Sequence, residues 1–387
     1  MAGPVAGRML ADMGADVIKV EKSSGDDTRR MVPPSIAGES AAFMMMNRNK
    51  RGVVLNLKSK KGKEALLRLI KDADVLIENY RLGTMEGLGL GYDQLKRVNK
   101  GLIYCEISGF GRTGPYAARG GFDLIAQGMS GLMSITGEAP GRPPVKSGAP
   151  VTDITAGILG AMGISAAYAH KLQTGLGQKV DTSLFEAGIT QTYWQSAIAL
   201  ATGEAPTAMG SAHPLNAPYQ AFQTQDGWIN VGAANQTNWE RLTVLIDRPE
   251  LQNDPRFSSN DLRMNNRDQL VDVLSDEFKK FSTEHWLHRF DQGGLPVGPI
   301  LSVTEMHNDP QAIARNMVIN TRHPIAGEVK TLGMPVKFSE TSCEIRSPAP
   351  LLGQHTRQVL GEAGYSTVEI EQMIVSGDAA ESEPIHP

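Results

Sequence analysis

The fold is indicated by residues 53–77, whose sequence is VVLNLKSKKGKEALLRLIKDADVLI. Residues 53–57 are almost wholly apolar, which is typical of a strand buried on both faces of a sheet. Ser59 can open a helix, and apolar residues then recur at helical spacing as far as Ala73. A second apolar run, 75–77, follows at once. A strand, a helix and a strand in this order predict a crossover between parallel strands.

Similar segments lie on either side of this stretch. The apolar runs 17–20 and 102–107 predict two further strands, and helices are predicted over 4–13 and 92–98. Strands that alternate with helices of this length form parallel sheets covered by helices. We therefore predict an α/β fold with a large, doubly wound, Rossmann-like domain at residues 1–200.

The rest of the chain predicts a second, smaller α+β domain at residues 219–320. A segment rich in Gly, Pro, Ala and Ser predicts a linker over 201–218. Beyond the linker, two short strands joined at Asp226-Gly227 give a hairpin signal. Within the large domain, a helix that begins near Asp153 carries glycines at a three-residue spacing, 157, 160 and 163. That stripe predicts close packing along one side of the helix.

Composition and charge restrict the possible functions. Hydrophobic residues make up 41% of the 387 residues and charged residues 21%, which is typical of globular domains. The 38 Lys and Arg against 42 Asp and Glu give a net charge of −4, so no binding to nucleic acid or an anionic membrane is expected. The uncharged stretch 154–169 is too short to span a membrane, and the first residues lack a secretory signal pattern. Two cysteines that form no paired motif predict a cytoplasmic protein.

Asp153, just before the glycine-striped helix segment, allows two interpretations. As an N-cap it would accept a hydrogen bond from the first turn, which is the commoner role of an aspartate there. As a nucleophile it would be kept ionised by the helix dipole, and a carboxylate nucleophile yields an activated acyl group. The sequence pattern alone leaves both interpretations open.

Basic residues cluster after successive predicted strands of the first half. The set comprises Lys22, Arg29, Arg30, Lys58, Lys60, Lys61 and Arg81. Ligands of open α/β sheets bind at the carboxyl edge of the strands. The cluster therefore favours a phosphate-bearing ligand, although single lysines are commonly surface residues.

Two other motifs carry weaker signals. Gly109-Phe-Gly-Arg-Thr-Gly114 matches the dinucleotide motif GxGxxG, but Pro115 follows directly and no acidic residue lies about 20 positions further on. A nicotinamide-dependent oxidoreductase is therefore only an alternative. His285 and His288 are spaced i,i+3 without a third ligand nearby, which predicts a helix surface and no metal site.

Several motifs are shared with one known family. They are Ala2-Gly-Pro4, Leu10-Ala-Asp-Met-Gly-Ala-Asp-Val-Ile-Lys-Val-Glu21, Gly25-Asp-Asp-Thr-Arg29, Asn47-Arg-Asn-Lys-Arg51, Asp74-Val-Leu-Ile-Glu-Asn-Tyr80, Ser108-Gly-Phe-Gly111, Gly121-Phe-Asp123 and Leu351-Leu-Gly-Gln-His355. Together they run over essentially the whole chain, which resembles the class III CoA-transferase family, a family that also contains the alpha-methylacyl-CoA racemases. The segment 212–222 looks more like the branch that handles longer dicarboxylates, including succinyl-CoA:glutarate transferases.

The resemblance implies a CoA-transferase that moves CoA from a donor thioester, such as succinyl-CoA, to a free carboxylic acid, in particular a dicarboxylate. Asp153 would be the nucleophile, passing through an aspartyl anhydride and an aspartyl-CoA thioester. CoA contacts are implied at Ala2, Lys22, Leu55, Lys58, Asn79, Tyr80, Arg81, Phe122 and Asp123. CoA esters are substrates, and no permanent cofactor or metal is implied. The implied assembly is an interlocked homodimer, in which residues 321–387 form a linker and a C-terminal segment that returns to the large domain.

Three departures from the family pattern bear on function. Racemases carry a histidine where Phe122 stands, because proton exchange at an α-carbon needs an acid and a base. A racemase-type isomerase therefore stays an alternative, as does a protein that binds CoA without turnover. Family members often carry a basic residue at the position of Gly87, so one phosphate contact is expected to be missing or supplied by a neighbour. A strand normally precedes Ala2, and we expect that the natural start lies upstream.

Overall fold

The predicted strand, helix and strand of the fold-deciding stretch are all present. The first strand is Lys50–Leu55, the helix Lys60–Asp72 and the second strand Val75–Glu78. Ser59 caps the helix as predicted, since its hydroxyl accepts a hydrogen bond from the Gly62 N–H at 3.0 Å. The α/β alternation of the first half is therefore confirmed.

The computed structural model describes residues 1–382. Its helices are α1 (Ala2–Asp12), α2 (Ala41–Asn47), α3 (Lys60–Asp72), α4 (Thr84–Gly87), α5 (Tyr92–Val98), α6 (Asp123–Met129), α7 (Leu132–Ile135), α8 (Val151–Thr174), α9 (Leu184–Thr190), α10 (Tyr193–Thr202), α11 (Gln236–Leu245), α12 (Asn260–Asn265), α13 (Arg267–Phe278), α14 (Thr283–Gln292), α15 (Val303–His307), α16 (Pro310–Ala314), α17 (Thr356–Glu362) and α18 (Thr367–Val375), with 3-10 turns at Asp27–Arg30 and Pro249–Gln252. Its strands are β1 (Val17–Glu21), β2 (Ser35–Ile36), β3 (Glu39–Ser40), β4 (Lys50–Leu55), β5 (Val75–Glu78), β6 (Ile103–Ser108), β7 (Lys179–Ser183), β8 (Tyr219–Gln223), β9 (Trp228–Gly232), β10 (Val297–Pro299), β11 (Val318–His323), β12 (Gly327–Leu332) and β13 (Ala379–Ala380).

Two three-stranded sheets carry the α/β part of the fold. In the first, β4 lies between β1, which is parallel to it, and β13, which is antiparallel. In the second, β5, β6 and β7 are all parallel, in that order. Within residues 1–382 the parallel strands thus lie in two separate sheets, edged by β1 and β13 and by β5 and β7, and not in the single doubly wound sheet that the pattern predicts. The crossover through α3 joins one sheet to the other.

Contacts divide the chain into two units whose boundaries differ from the predicted domains. The larger unit contains residues 1–130, 148–191 and 310 onward, and the smaller contains 131–147 and 192–309. Every predicted site residue, from Ala2 to Asp153, therefore falls within the larger unit.

The smaller unit contains the predicted hairpin. Strands β8 and β9 pair antiparallel on either side of Asp226-Gly227, and β10 adds a third strand to the sheet. The core of this unit is rich in aromatic rings, among them Trp239, Phe278 and Trp286, which are at most 2% exposed. Asp226 Oδ1 accepts a hydrogen bond from the Thr283 N–H at 2.7 Å, which ties the hairpin to α14.

The glycine stripe of α8 packs as predicted. A Cβ atom on Gly157 would lie 2.8 Å from the Ala2 carbonyl oxygen of α1, and one on Gly160 would lie 2.9 Å from Ile107 Cδ1 of β6. The stripe thus lets α8 approach α1 and the second sheet closely. Among residues 1–382, α8 is the one helix with the length and mean hydropathy, 1.2, that a membrane span requires, a test that the core helix of a soluble protein also passes.

Gly157→Ala should destabilise the protein, because the added methyl group would push α1 away from α8. Overpacking of this kind costs about 1–3 kcal/mol of the free energy of unfolding. Gly361→Ala in α17 is the matched control, since no atom lies within 4 Å of its added Cβ. That change should stabilise by about 0.5–1 kcal/mol, as alanine does in an open helix position. Denaturant titration of both variants measures the difference, and equal shifts would contradict the close α1–α8 contact.

Candidate active site

Asp153 lies in the first turn of α8 and not at its N-cap. The helix begins at Val151, and Pro150 occupies the N-cap position. The Asp153 carboxylate instead accepts a hydrogen bond from the Ala2 N–H at 3.2 Å, at the N-terminus of α1. The N-cap residue of α1, Met1, provides no side-chain cap of its own. The interpretation of Asp153 as the N-cap of α8 is therefore wrong, because its carboxylate serves a different helix.

Asp123 supports the first turn of α8. Its Oδ1 accepts hydrogen bonds from the N–H and the hydroxyl of Thr152, at 3.0 and 2.8 Å, and its Oδ2 accepts one from Gln127 Nε2 at 2.7 Å. The residue before Asp153 is thus fixed from outside its own helix. Phe122 stands next to Asp123 with 77% of its surface exposed. Both oxygens of Asp123 are engaged within the protein, whereas Phe122 is accessible to a ligand.

Burial dominates the electrostatics of Asp153. Desolvation raises the pKa of its carboxyl above the ordinary value of 3.8, and the negative charge of Asp123 adds to this. The amino group of Met1, 4.0 Å away, and the Ala2 N–H oppose the rise without cancelling it. Burial thus opposes the ionised form that the helix dipole is expected to favour, and the net direction of the Asp153 pKa is upward.

The segment Asn79 to Arg81 leaves β5 beside the N-terminus of α1. A Cβ atom on Gly3 would lie 3.3 Å from Asn79 Cγ, so Asn79 packs on the first turn of α1, next to Ala2. Tyr80 is 48% exposed. The Arg81 guanidinium lies 3.6 Å from the position of a Cβ on Gly120. The structure thus brings this segment, the N-terminus of α1 and Asp153 into one neighbourhood.

The remaining predicted contacts follow strands of the first sheet. Lys22 comes directly after β1, is exposed and pairs with Asp27 at 3.2 Å. Lys58 is exposed three residues beyond Leu55, the last residue of β4. Leu55 itself is 1% exposed and belongs to the core. The ammonium groups of the two lysines are therefore accessible from solvent, whereas Leu55 packs in the core at the carboxyl end of β4.

The motif Gly109 to Gly114 folds into a tight loop that is not followed by a helix. A Cβ on Gly109 would lie 2.7 Å from Gly121 Cα, so the loop is pressed against the segment before α6. The side chain of its arginine, Arg112, is 5% exposed and pairs with Glu78 of β5 and Glu106 of β6. Sequence reasoning missed this cluster, although charged residues at the ends of buried strands were a visible signal.

A second missed group fixes α1 from the side opposite α8. Lys50 is 3% exposed, and its ammonium donates to the carbonyl oxygens of Pro4 and Met46 and to Asn47 Oδ1 at 2.8–2.9 Å. Burial lowers the pKa of Lys50 well below its ordinary value. Within the same motif, Arg48 forms a buried ion pair with Asp12, the last residue of α1, at 2.7 Å. Lys50 and Arg48 thus hold α1 near its start and at its end.

The histidines at 285 and 288 lie on α14 and are exposed, so the prediction of a helix surface is confirmed. His285 stacks on Phe281, with ring centroids 4.3 Å apart. Across residues 1–382, no three His, Cys, Asp or Glu side chains cluster as a metal site requires.

The sequence is similar to those of known CoA-transferases, and the fold is similar to that of a protein of known structure. The sequence model of CoA-transferase family III matches residues 1–356. Succinyl-CoA:glutarate CoA-transferase of Homo sapiens is 36% identical over 379 residues, which cover 97% of this chain and 86% of that protein. Succinate–glutarate CoA-transferase of Agrobacterium fabrum is 39% identical over 369 residues, which cover 94% and 92%. A CAIB/BAIF family protein from Brucella suis has a crystal structure with a TM-score of 0.83 and 39% identity, covering 94% of this chain and 96% of that one.

Asp153→Asn should be more stable than the natural protein at neutral pH. Because the folded-state pKa of Asp153 is raised, the folded state binds more protons than the unfolded state just above pH 3.8, and stability falls as pH rises through that window. Asparagine does not titrate and can still accept the Ala2 N–H, so the advantage should grow with pH and then level off.

Asp226→Asn is the control with the opposite sign. Hydrogen bonds from Thr283 lower the pKa of Asp226, so this carboxylate stabilises the fold more as pH rises. Denaturant unfolding of both variants from about pH 2.5 to about pH 7 measures the two trends, because the Asp226 contribution is lost as pH falls below the ordinary value of 3.8, whereas the Asp153 contribution changes just above it. A stability difference at Asp153 that does not change with pH would contradict the raised pKa.

Proposed function

The chain belongs to CoA-transferase family III, and we propose that it moves CoA from succinyl-CoA or a related donor to a free dicarboxylate. It is an enzyme of the CoA-transfer class. The human and Agrobacterium relatives are both named for transfer between succinate and glutarate, which supports dicarboxylic acids on both sides of the reaction.

The observation that carries the chemistry is the placement of Asp153. Its carboxylate is 17% exposed, contacts a helix N-terminus through the Ala2 N–H and lies beside the exposed segment Asn79 to Arg81. A partly desolvated carboxylate is a stronger nucleophile than a fully hydrated one, and helix N–H groups stabilise negative charge near it. Asp153 is therefore equipped to attack a thioester.

In the first half-reaction a carboxylate oxygen of Asp153 attacks the thioester carbonyl of the donor. The carbon–sulfur bond breaks, which gives a mixed acyl anhydride and CoA thiolate. The thiolate then attacks the Asp153 carbonyl carbon and expels the donor acid as its carboxylate. The enzyme is left as an aspartyl-CoA thioester, so the energy of the thioester is retained.

The second half-reaction repeats these steps in reverse order. The acceptor carboxylate attacks the aspartyl-CoA carbonyl, releasing thiolate and forming a new anhydride. The thiolate then attacks the acceptor acyl carbon, which frees the Asp153 carboxylate and yields the new CoA ester. No net proton is gained or lost in the cycle.

The first turn of α1 supplies donors for the tetrahedral oxyanions. The N–H groups at a helix start have no intrahelical acceptor. In α1 these are Ala2 and Gly3, because Pro4 has no N–H. We assign them to the oxyanion, which sits where the Ala2 N–H now meets Asp153.

Exposed groups at the carboxyl ends of the strands suit CoA. Lys22 and Lys58 would meet the phosphate end, whereas the adenine contact that the resemblance implies for Leu55 is disfavoured by the burial of Leu55 in the core. Asn79, Tyr80 and Arg81 would follow the thiol arm towards Ala2, where Phe122 borders the reacting carbonyl. The supporting observations are the exposure of both lysines and of Tyr80 and Arg81.

The alternatives find less support. Phe122 has no group that can exchange a proton, and Asp123 beside it is committed to Thr152, so a racemase lacks its acid–base pair at this position. The loop 109–114 is occupied by packing and ion pairs within the protein, which disfavours nicotinamide binding.

Replacement of Asp153 tests the function. Asp153→Ala and Asp153→Asn should both lower turnover by about 10⁴-fold or more, the scale expected when a nucleophile is removed. Turnover is measured by mass spectrometry, with a panel of CoA esters offered to free dicarboxylic acids. Hydroxylamine added during turnover should convert Asp153 of the natural enzyme into a hydroxamate.

Asp226→Asn provides the control for the chemistry. Asp226 lies in the smaller unit, where its carboxylate accepts a hydrogen bond from the Thr283 N–H, so this variant should retain most of the turnover and still form the hydroxamate. Substantial turnover by Asp153→Asn, with no adduct on Asp153 in the natural enzyme, would overturn the proposed mechanism.

We propose a cytoplasmic location on the basis of thiol chemistry. Cys105 and Cys343 are both free, and burial raises the pKa of Cys105 to about 12. Unpaired thiols suit a reducing compartment.

We also propose the interlocked homodimer, because α8 leaves apolar side chains uncovered. Ile158, Met162 and Leu172 are 45%, 62% and 71% exposed. At 100° per residue they fall on one side of the helix. An apolar stripe of this kind marks an interface, and α8 also carries Asp153, so a second copy on this stripe would steady the site.

Charge placed on the stripe should break the dimer. The double variant Met162→Glu, Leu172→Glu should be monomeric at micromolar concentration by light scattering, because two buried carboxylates oppose association. Val375→Glu on α18, at a position that is 80% exposed, should leave the mass unchanged. A natural protein that is already monomeric would refute the dimer.

A further inference from the structure

The loop 109–114 has no part in the mechanism above, yet its arginine is among the most enclosed charges of the larger unit. The Arg112 side chain is 5% exposed and lies 2.6 Å from Glu78 Oε1 and 3.3 Å from Glu106 Oε1. Lys179 of β7 meets the other oxygen of Glu106 at 2.5 Å. A buried network of this kind is costly to desolvate, so stability alone is a weak reason for it.

Arg112 and Glu78 hold both backbone polar groups of Tyr80. Arg112 Nη1 donates to the Tyr80 carbonyl oxygen at 3.0 Å, and the Tyr80 N–H donates to Glu78 Oε2 at 2.6 Å. Tyr80 is therefore fixed by its main chain while its side chain stays half exposed. The exit direction of the segment 79–81 from β5 is set by this pair.

The same loop also contacts the segment that supports the first turn of α8, where Asp153 lies. Gly109 is pressed against Gly121, and the chain runs on from there to Asp123, which holds Thr152. One loop is thus joined through Arg112 to the segment 79–81 and through Gly121 to the first turn of α8.

We propose that Arg112 is a positioning residue, which sets the segment 79–81 and its contact with the thiol arm of CoA at the correct distance from Asp153. This inference rests on the proposed function. Arginine suits the task because its planar guanidinium has five donors and can meet Glu78, Glu106 and the Tyr80 carbonyl together. A lysine ammonium carries its donors on one atom, so it cannot reproduce contacts that Arg112 makes from Nη1 to the Tyr80 carbonyl, from Nη2 to Glu78 and from Nε towards Glu106.

Arg112→Gln should raise the KM for the CoA ester by about tenfold to a hundredfold, the scale of a small misplacement of binding groups. The kcat should fall much less, because Asp153 and Ala2 are untouched. Arg112→Lys should restore charge but not the low KM. Glu78→Gln keeps an acceptor for the Tyr80 N–H and should give an intermediate KM, so it tests the proposal even where Arg112→Gln folds poorly.

Arg51→Gln is the matched control. Arg51 also bridges two carboxylates, Asp16 at 2.5 Å and Glu362 at 2.6 Å, but it lies near the amino end of β4. The variant Arg51→Gln should leave the KM for the CoA ester unchanged. Equal KM values for the natural enzyme, Arg112→Gln and Glu78→Gln would reduce Arg112 to a structural ion pair and overturn the proposal.

The variant Arg81→Ala distinguishes a failure of the positioning role of Arg112 from a failure of the proposed contact with the thiol arm of CoA. If Arg81→Ala raises the KM and Arg112→Gln does not, the positioning role alone is overturned. If Arg81→Ala leaves the KM unchanged, the thiol-arm contact itself is wrong and the inference falls with it. A rise for Arg81→Ala, Arg112→Gln and Glu78→Gln, with Arg51→Gln unchanged, supports the proposal.

Discussion

The close approach of α1 to α8 is the constraint on which the candidate site depends. Gly157 has no side chain, so the backbone of α1 can lie against α8, and only then does the Ala2 N–H reach Asp153 at 3.2 Å. The far side of α1 is held by Lys50, which donates to the Pro4 carbonyl oxygen. Contacts with Gly157 of α8 and with the Lys50 ammonium therefore fix the position of α1, and with it the position of the Ala2 N–H.

The residues of the candidate site lie mainly at the ends of helices and strands. Asp153 and Ala2 lie at helix starts, and Asn79 follows the end of a strand. Backbone groups at such ends have no partner within their own element, so they are free for a ligand. Burial of Asp153 among them raises its pKa, which costs stability when the carboxylate ionises. The ionised carboxylate that the proposed reaction needs therefore lowers the stability of the folded protein.

Much of the larger unit could be predicted from sequence because its signals are local. The apolar runs fixed β1, β4, β5 and β6, Ser59 marked the start of α3, and the glycines at 157 and 160 revealed the packing face of α8. The role of Asp153 as an acceptor for another helix could not be predicted, since 151 residues separate it from Ala2. The division into two sheets was missed for a similar reason, because periodicity describes a strand and not its neighbours.

Four strands lie at the edges of the two α/β sheets within residues 1–382, namely β1 and β13 of the first sheet and β5 and β7 of the second. An edge strand presents a row of N–H and C=O groups that any extended segment can pair with, which makes it a starting point for aggregation. Here β5 has only four residues, and β1 carries Lys19, whose ammonium is bound to Asp26 at 2.5 Å. Short length and a central charge are both known to discourage intermolecular β-pairing. The ion pair of Lys19 with Asp26 on β1 and the shortness of β5 are therefore the features of these two edges that oppose pairing with another chain.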